Sequence, residues 1–251
     1  MARLRVPSEA MGCSVPVLVW LPAGYQAGAH YPVWYGLHGY STSETMWLQT
    51  AGAGETAERL IAAGLIRPLI MVFPLTRYDP TAVIVEDMKD GTRGETRMER
   101  FLCRELIPWI DQRYPTVATA DNRWIGGFSM GGLFALQIAL RHPGLFGKAA
   151  GYSPALVFRD FTGDRFERWL YDGADTQPTE PLEGFAASRG LDRLALYLDC
   201  GDETDPFSEG TRSLGLALAA RGLQVECHPH PGGHALRPER VEEYLRFFAG
   251  P

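Results

Sequence analysis

The segment NRWIGGFSMGGLFALQIALRHP, residues 122–143, constrains the fold of this chain more than any other. Its first part is short and apolar, as in a buried strand, and its second part is a helix that Pro143 ends. Gly127 and Gly131 flank Ser129, so the turn between the two elements can be sharp. The segment therefore predicts a strand that leads through a serine directly into a helix N-terminus.

The rest of the chain alternates between short apolar runs and amphipathic stretches. Strands are predicted at 15–22, 32–39, 67–74, 122–128, 148–153, 194–201 and 223–229, and helices at 55–64, 98–114, 130–143, 209–222 and 237–250. This alternation predicts one α/β domain over residues 1–251, with a mostly parallel sheet covered by helices on both faces. Residues 155–190, rich in aromatic, acidic, Gly and Pro residues, break the rhythm, and we expect them to form a small cap over the active edge.

Charge and composition exclude several classes of function. The formal net charge is −6 and no basic run exceeds two residues, which argues against nucleic acid as a partner. No apolar run has the length of a membrane helix, and prolines interrupt the one that follows Arg3 and Arg5, so we expect a cytoplasmic protein without a signal peptide. The cysteines and histidines lack zinc spacing, and we expect no metal or cofactor. Nothing in the sequence argues against a homodimer.

Ser129 is the predicted nucleophile. Its G-x-S-x-G pattern lies between a strand and a helix, which is the context that a nucleophile elbow requires. The helix N-terminus behind it offers backbone N–H groups and a partial positive charge. This context favours an activated serine over a serine that merely caps a helix.

A serine nucleophile needs a histidine base. The chain has six histidines, His30, His38, His142, His228, His230 and His234. His234 follows two glycines just beyond the last predicted strand, where a loop can fold back over the edge of the sheet. We therefore predict His234 as the base, with His230 as the alternative. His142, at the end of a helix, is interpreted as structural.

The acid that orients the base should follow the next-to-last strand. The segment LYLDCGDETDPF offers Asp199, Asp202 and Asp205. Asp199 falls on the predicted strand, whereas Asp205 falls in the loop that follows it. Asp205 is therefore favoured, and Asp202 remains open. A carboxylate in this place would hold the imidazole in the correct tautomer and stabilise imidazolium.

Two backbone N–H groups are needed to bind the oxyanion. Met130, directly after the nucleophile, supplies the first, and the loop after an early strand supplies the second. In the segment YGLHGYS we assign this donor to Tyr40, and we expect His38 to anchor the loop by hydrogen bonding. The order Ser129, Asp205, His234 is characteristic of α/β-hydrolases.

The chain resembles the "Putative esterase" family of α/β-hydrolases, which includes feruloyl esterases, esterase D and enterochelin esterases. The stretches that carry the resemblance are VWYGLHGY, AERLIAAGLIRPLIMVFP, RELIPWIDQRYP, GGFSMGG, LYLDCG, DPF and PGGH. The resemblance implies an α/β-hydrolase fold, the triad Ser129, Asp205 and His234, and no cofactor. Three residues separate Gly201 from Asp205 where relatives often have two, which keeps Asp202 open.

These observations predict a serine carboxylesterase that acts on small to medium acyl or aryl esters, a small-molecule substrate. Aromatic residues near the expected mouth, Trp47, Tyr152 and Trp169, are candidates for a substrate pocket together with Tyr40. An acyltransferase would use the same residues, since an alcohol then replaces water. A binding protein without catalysis is the third alternative, although such proteins usually lack a member of the triad.

Overall fold

The computed structural model describes residues 1–76, 95–156 and 191–251. The described strands are β1 (Ala2–Ser8), β2 (Cys13–Trp20), β3 (Val33–Leu37), β4 (Ile70–Pro74), β5 (Arg123–Phe128), β6 (Lys148–Tyr152), β7 (Ala195–Cys200) and β8 (Gln224–Pro229). The described α-helices are α1 (Met46–Gln49), α2 (Ala53–Ala62), α3 (Arg97–Arg100), α4 (Ile107–Arg113), α5 (Met130–Arg141), α6 (Ser208–Ala220) and α7 (Val241–Ala249). A π-helical segment, Phe101–Leu106, joins α3 to α4, and short 3₁₀ turns lie at Ala120–Asn122, Leu191–Arg193 and Pro238–Arg240.

The strands of the described regions form one eight-stranded sheet in the order β1-β2-β4-β3-β5-β6-β7-β8. The pairs β1–β2 and β2–β4 are antiparallel, and all the others are parallel. The strand order reverses around β3, and the loops that follow the parallel strands all meet at one edge of the sheet. The predicted mostly parallel α/β sheet is confirmed, and this is the α/β-hydrolase fold.

Strand β3 shows how the sheet separates two apolar layers. Its residues alternate between the faces, since successive side chains of a strand point to opposite sides. Val33, Tyr35 and Leu37 belong to the layer that contains α5, while Trp34 belongs to the layer that contains α2 and α7. Helices therefore cover both faces, as parallel sheets require.

Strand β1 is, with the short helix α1, an element that the sequence analysis did not predict. Arg3 and Arg5 are exposed and alternate with the more buried Leu4 and Val6, so the segment has the two-residue period of an edge strand. It pairs in antiparallel register with β2, with Val6 opposite Val15. The exposed arginines thus belong to a strand, whereas the sequence analysis treats them only as residues that precede an apolar run.

The expected cap falls almost entirely outside the described residues, because 157–190 are not among them. The single-domain organisation over 1–251 therefore remains an expectation. Within the described regions, no helix combines the length and the apolar character needed to cross a membrane.

Trp34 is the centre of an aromatic cluster. Its ring lies 5.0 Å from the ring of Trp47, 5.5 Å from that of Phe73 and 5.4 Å from that of Phe248. Because truncation leaves a large cavity, we expect Trp34→Ala to lower the free energy of unfolding by about 3–5 kcal/mol in chemical denaturation. Leu216→Ala is the control, since Leu216 is 73% exposed, and should change it by less than about 0.5 kcal/mol. Equal losses in the two variants would contradict the prediction.

Candidate active site

Ser129 lies on the turn between β5 and α5 with φ 54° and ψ −118°. This region of backbone space is costly for a residue with a side chain, by about 1–3 kcal/mol, and it occurs where surrounding structure enforces it. Hydrogen bonds on both sides hold the residue: Ser129 N–H donates to Tyr152 O at 3.0 Å, and Ala155 N–H donates to Ser129 O at 3.0 Å. The turn thus has the strained geometry that was predicted for a nucleophile elbow.

The two glycines of the motif are required by space. A Cβ on Gly127 would lie 2.3 Å from the carbonyl carbon of Gly131, and a Cβ on Gly131 would lie 2.6 Å from the carbonyl oxygens of Leu37 and His38. These neighbours are backbone atoms and cannot rotate away. The first turn of α5 therefore rests directly on the end of β3, which brings the loop after β3 beside Ser129.

His38 fixes that loop. Its ring is buried, and Nε2 accepts a hydrogen bond from Thr76 N–H at 2.9 Å. Nδ1 lies 2.7 Å from Gly39 O, so we assign the ring proton to Nδ1, which donates to this carbonyl. A Cβ on Gly39 would lie 3.5 Å from the Cβ of Ser129, which shows how closely the loop approaches. The assigned donors, the N–H groups of Tyr40 and Met130, come from the two backbone segments that meet here.

The structure brings Ser129, His234 and Asp205 together from three loops. Ser129 Oγ lies 2.9 Å from His234 Nε2. His234 Nδ1 lies 3.4 Å from Asp205 Oδ1, which is within ion-pair range and longer than an ideal hydrogen bond. The side chain of His234 is 24% exposed and that of Asp205 is fully buried. Part of the imidazole is therefore accessible to solvent, whereas the carboxylate of Asp205 is shielded from it.

The Asp205 carboxylate is fully hydrogen-bonded. Oδ1 accepts from Phe207 N–H at 3.0 Å, and Oδ2 accepts from Gly201 N–H at 2.9 Å and from the Ser153 hydroxyl at 3.1 Å. Burial acts to raise the pKa of Asp205, but the interactions with His234 and with the two N–H groups outweigh it and hold the pKa below its usual value. The carboxylate is thus kept ionised beside the imidazole.

Asp202, the alternative acid, lies in a different environment. Its Oδ2 accepts a hydrogen bond from Gly232 N–H at 2.6 Å, and its Oδ1 accepts from the hydroxyl and the N–H of Thr204. The hydrogen bonds from the Thr204 hydroxyl, Gly232 and the Thr204 N–H lower the pKa of Asp202 to about 2. The structure therefore gives Asp202 a contact with the loop that carries His234, and Asp205 the contact with the imidazole itself.

His230, the alternative base, pairs with a second buried carboxylate. Its Nε2 lies 3.4 Å from Asp199 Oδ2, and both side chains are nearly inaccessible. Burial raises the pKa of Asp199, opposed by His230 and by the Ser153 N–H, which donates to Asp199 Oδ1 at 2.7 Å. Ser153 therefore bridges two carboxylates, since its hydroxyl donates to Asp205. His142 pairs with Glu99 instead: its Nε2 lies 2.8 Å from Glu99 Oε1.

Two phenylalanines surround the imidazole of His234. The ring of Phe128 stacks on it with centroids 5.1 Å apart and an interplanar angle of 15°. The ring of Phe207 meets it edge-on at 4.7 Å. These contacts, together with Asp205, restrict the rotation of the imidazole.

The predicted substrate pocket needs correction. Trp47 and Tyr152 are both 0% exposed and pack in the aromatic layer under the sheet, so neither side chain presents surface to a ligand. The indole N–H of Trp47 donates to Leu37 O at 3.1 Å, and the hydroxyl of Tyr152 donates to Arg237 O at 2.6 Å. Both have structural partners. Trp169 lies outside the described residues.

Sequence analysis did not single out Ser153, Phe128 or Arg237. Ser153 follows β6 and has φ 40°, and its position at the carboxyl end of a parallel strand was the available signal. Phe128 occupies the position before Ser129, at which the G-x-S-x-G pattern specifies no residue type. Arg237 bears no local pattern that separates it from the other arginines.

A sheet of this order, with a serine on a strained strand-to-helix turn and a His–carboxylate pair on later loops, defines the α/β-hydrolase class. Residues 8–238 match the family described as "Putative esterase". The chain belongs to this family, and the resemblance predicted from the sequence is confirmed.

Two relatives show how the chain compares with longer proteins. An esterase of Mycobacterium tuberculosis is 29% identical over 271 residues, covering 94% of this chain and 56% of that protein. An endo-1,4-beta-xylanase/feruloyl esterase of Xylanibacter ruminicola is 32% identical over 227 residues, covering 87% of this chain and 27% of that protein. The chain thus spans about half or less of the length of these relatives.

Solved structures confirm the fold. A ferulic acid esterase superposes with a TM-score of 0.82 at 20% identity, covering 99% of this chain and 96% of the other. The enterobactin esterase of Shigella flexneri superposes with a TM-score of 0.75 at 18% identity, covering 98% and 58%. At these identities the likeness concerns the fold.

The contact between α5 and β3 can be tested with Gly131→Ala. Its Cβ would meet backbone carbonyls at 2.6 Å, so we expect overpacking to lower the free energy of unfolding by about 1–3 kcal/mol. Gly28→Ala is the control, because a Cβ there meets no atom within 4 Å. Thermal and chemical denaturation should separate the two variants, and a Gly131→Ala protein as stable as Gly28→Ala would contradict the geometry.

Proposed function

We propose that this protein is a serine carboxylesterase in which Ser129 is the nucleophile, His234 the general base and acid, and Asp205 the orienting carboxylate. The observation that carries the proposal is the 2.9 Å approach of His234 Nε2 to Ser129 Oγ at a strained turn. Membership of the esterase family supports the reaction class.

Acylation begins when Ser129 Oγ attacks the ester carbonyl carbon while its proton passes to His234 Nε2. The carbonyl oxygen becomes an oxyanion, which the N–H groups of Met130 and Tyr40 bind. The intermediate then expels the alcohol, which takes the proton from His234. The acyl group remains on Ser129.

Deacylation repeats these steps with water. His234 takes a proton from water, the hydroxide attacks the acyl carbonyl, and the acid leaves as Ser129 recovers its proton. Asp205 stays ionised throughout, since its pKa is held below the usual value. It stabilises the imidazolium that forms in both halves of the reaction.

Small to medium acyl or aryl esters are the proposed substrates. Phe128 and Phe207 surround the base with apolar surface, which suits an ester more than a charged group. One relative carries feruloyl esterase in its name, which supports an aryl acid as one candidate acyl group.

The proposal is tested by hydrolysis of p-nitrophenyl esters from acetyl to long-chain acyl, and of methyl ferulate. We expect turnover of the shorter or aryl esters, and Ser129→Ala should lower kcat by a factor on the order of 10⁶. Wild-type protein that hydrolyses none of these esters, or a Ser129→Ala protein as active as wild type, would refute it. Added alcohols test for acyl transfer, because a transferase would release a new ester in place of the acid.

The identity of the acid can be tested with matched amides. Asp205→Asn should lower kcat by about 10⁴-fold, because an amide cannot stabilise imidazolium and favours the wrong tautomer. Asp202→Asn should lower kcat by less than about tenfold, since an amide oxygen can still accept a hydrogen bond from the loop. If the order of these two losses were reversed in steady-state kinetics, Asp202 would be the acid.

A further inference from the structure

The loop that carries His234 has little regular structure of its own. Residues 231–236 contain no helix or strand, and Gly232 has φ 92°. Glycine is conformationally permissive, so the sequence of the loop does not select one backbone path. The 2.9 Å approach of His234 to Ser129 therefore needs an external support.

Arg237 donates hydrogen bonds to four of the six carbonyl groups of residues 231–236. Its Nη2 lies 2.7 Å from Gly233 O, 3.2 Å from Gly232 O and 3.3 Å from Pro231 O, so its two hydrogens are shared among three carbonyl oxygens. Its Nη1 donates to Ala235 O at 3.1 Å. The bonded carbonyls lie on both sides of His234 in the chain, so the loop wraps around the guanidinium.

The backbone of Arg237 is fastened separately. The hydroxyl of Tyr152, at the end of β6, donates to Arg237 O at 2.6 Å and accepts from Arg237 N–H at 3.2 Å. Tyr152 is fully buried in the aromatic layer. The backbone of Arg237, from which the guanidinium extends, is therefore anchored to the sheet rather than to another loop.

Asp202 holds the same loop from the opposite side. Its N–H donates to Gly232 O at 3.0 Å, and its carboxylate accepts from Gly232 N–H. Gly232 O thus receives hydrogen bonds from Asp202 and from Arg237. The two contacts fix the loop at the residue whose backbone is most permissive.

We propose that Arg237 is a positioning residue: its guanidinium, anchored through Tyr152, holds the loop in the conformation that keeps His234 Nε2 at Ser129 Oγ. The inference rests on the proposed function, since it assigns Arg237 to the same site. A planar guanidinium with several donors can serve carbonyls in different directions, whereas lysine is a point charge on a flexible stem. Arg237 is only 9% exposed, so these carbonyl oxygens provide hydrogen bonds that water would otherwise make to the guanidinium.

The test uses Arg237→Gln, Arg237→Lys and Tyr152→Phe, assayed on the best p-nitrophenyl ester. A displacement of about 1 Å can cost about 10²-fold in rate, so we expect Arg237→Gln to lower kcat by about 10- to 100-fold. KM should change by less than about threefold, because Arg237 has no predicted contact with substrate. Arg237→Lys should recover only part of kcat, and Tyr152→Phe should lie between Arg237→Gln and wild type.

Amide hydrogen exchange separates positioning from general stability. In a Ser129→Ala background, Arg237→Gln and Tyr152→Phe should accelerate exchange in the segment 230–236 and leave α7 and the central strands protected. Arg246→Gln is the matched control, since Arg246 is 44% exposed and pairs with Glu242 on α7. It should change neither kcat nor the exchange of the loop.

Several outcomes would overturn the proposal. These are an unchanged kcat in Arg237→Gln, exchange that rises uniformly over the protein, and full recovery by lysine. If Arg237→Gln fails to fold, Tyr152→Phe decides by the same two readouts. If wild-type protein hydrolyses no ester, the proposed function fails, whereas the exchange experiment still tests the hold on the loop because it requires no activity.

Discussion

The close packing of the first turn of α5 against the end of β3 is the constraint on which the rest of the site depends. Backbone meets backbone there, because a Cβ on Gly131 would lie 2.6 Å from the carbonyl oxygens of Leu37 and His38. Gly127 in turn has no room for a Cβ against Gly131. The contact brings the loop after β3 to the side of Ser129, whose strained conformation lies at the start of the same helical turn. His38 then completes the arrangement by joining that loop to Thr76 beyond β4. The close approach of Ser129 to the segment that carries Tyr40 therefore depends on one packing contact.

Ser153 links the two buried carboxylates behind the imidazole. Asp199 and Asp205 are both buried, and burial acts to raise the pKa of each carboxyl group. Ser153 donates its N–H to one and its hydroxyl to the other, and His230 pairs with Asp199. The pKa of Asp199 is raised by burial, while that of Asp205 is lowered by its hydrogen bonds. The two environments therefore shift the pKa values of the two aspartates in opposite directions. Asp205, whose pKa is lowered, is the one that faces His234.

The sequence predicted the parts of this molecule that obey local rules. Parallel strands and amphipathic helices follow from periodicity, and Ser129 and His234 follow from glycine patterns at strand ends. The pocket prediction for Trp47 and Tyr152 was wrong because aromatic residues near strand ends serve the core as readily as a surface. Arg237 was not predicted, because its hydrogen-bond partners are main-chain carbonyl groups, which every residue carries and which therefore produce no sequence pattern.

This contrast has a physical origin in how Ser129 and His234 are supported. Ser129 lies between a strand and a helix whose backbones approach too closely for any residue but glycine. The same requirement produces the glycine pattern that is visible in the sequence. His234 lies on an irregular loop that lacks the backbone hydrogen bonds of a helix or sheet, so hydrogen bonds from side chains must hold it. Such bonds can come from residues anywhere in the chain. Because a hydrogen bond from a charged group contributes only about 1.5–3 kcal/mol net, several are needed to restrict one loop. Arg237 concentrates several of them in one planar group, which is why we place the control of the Ser129–His234 distance there.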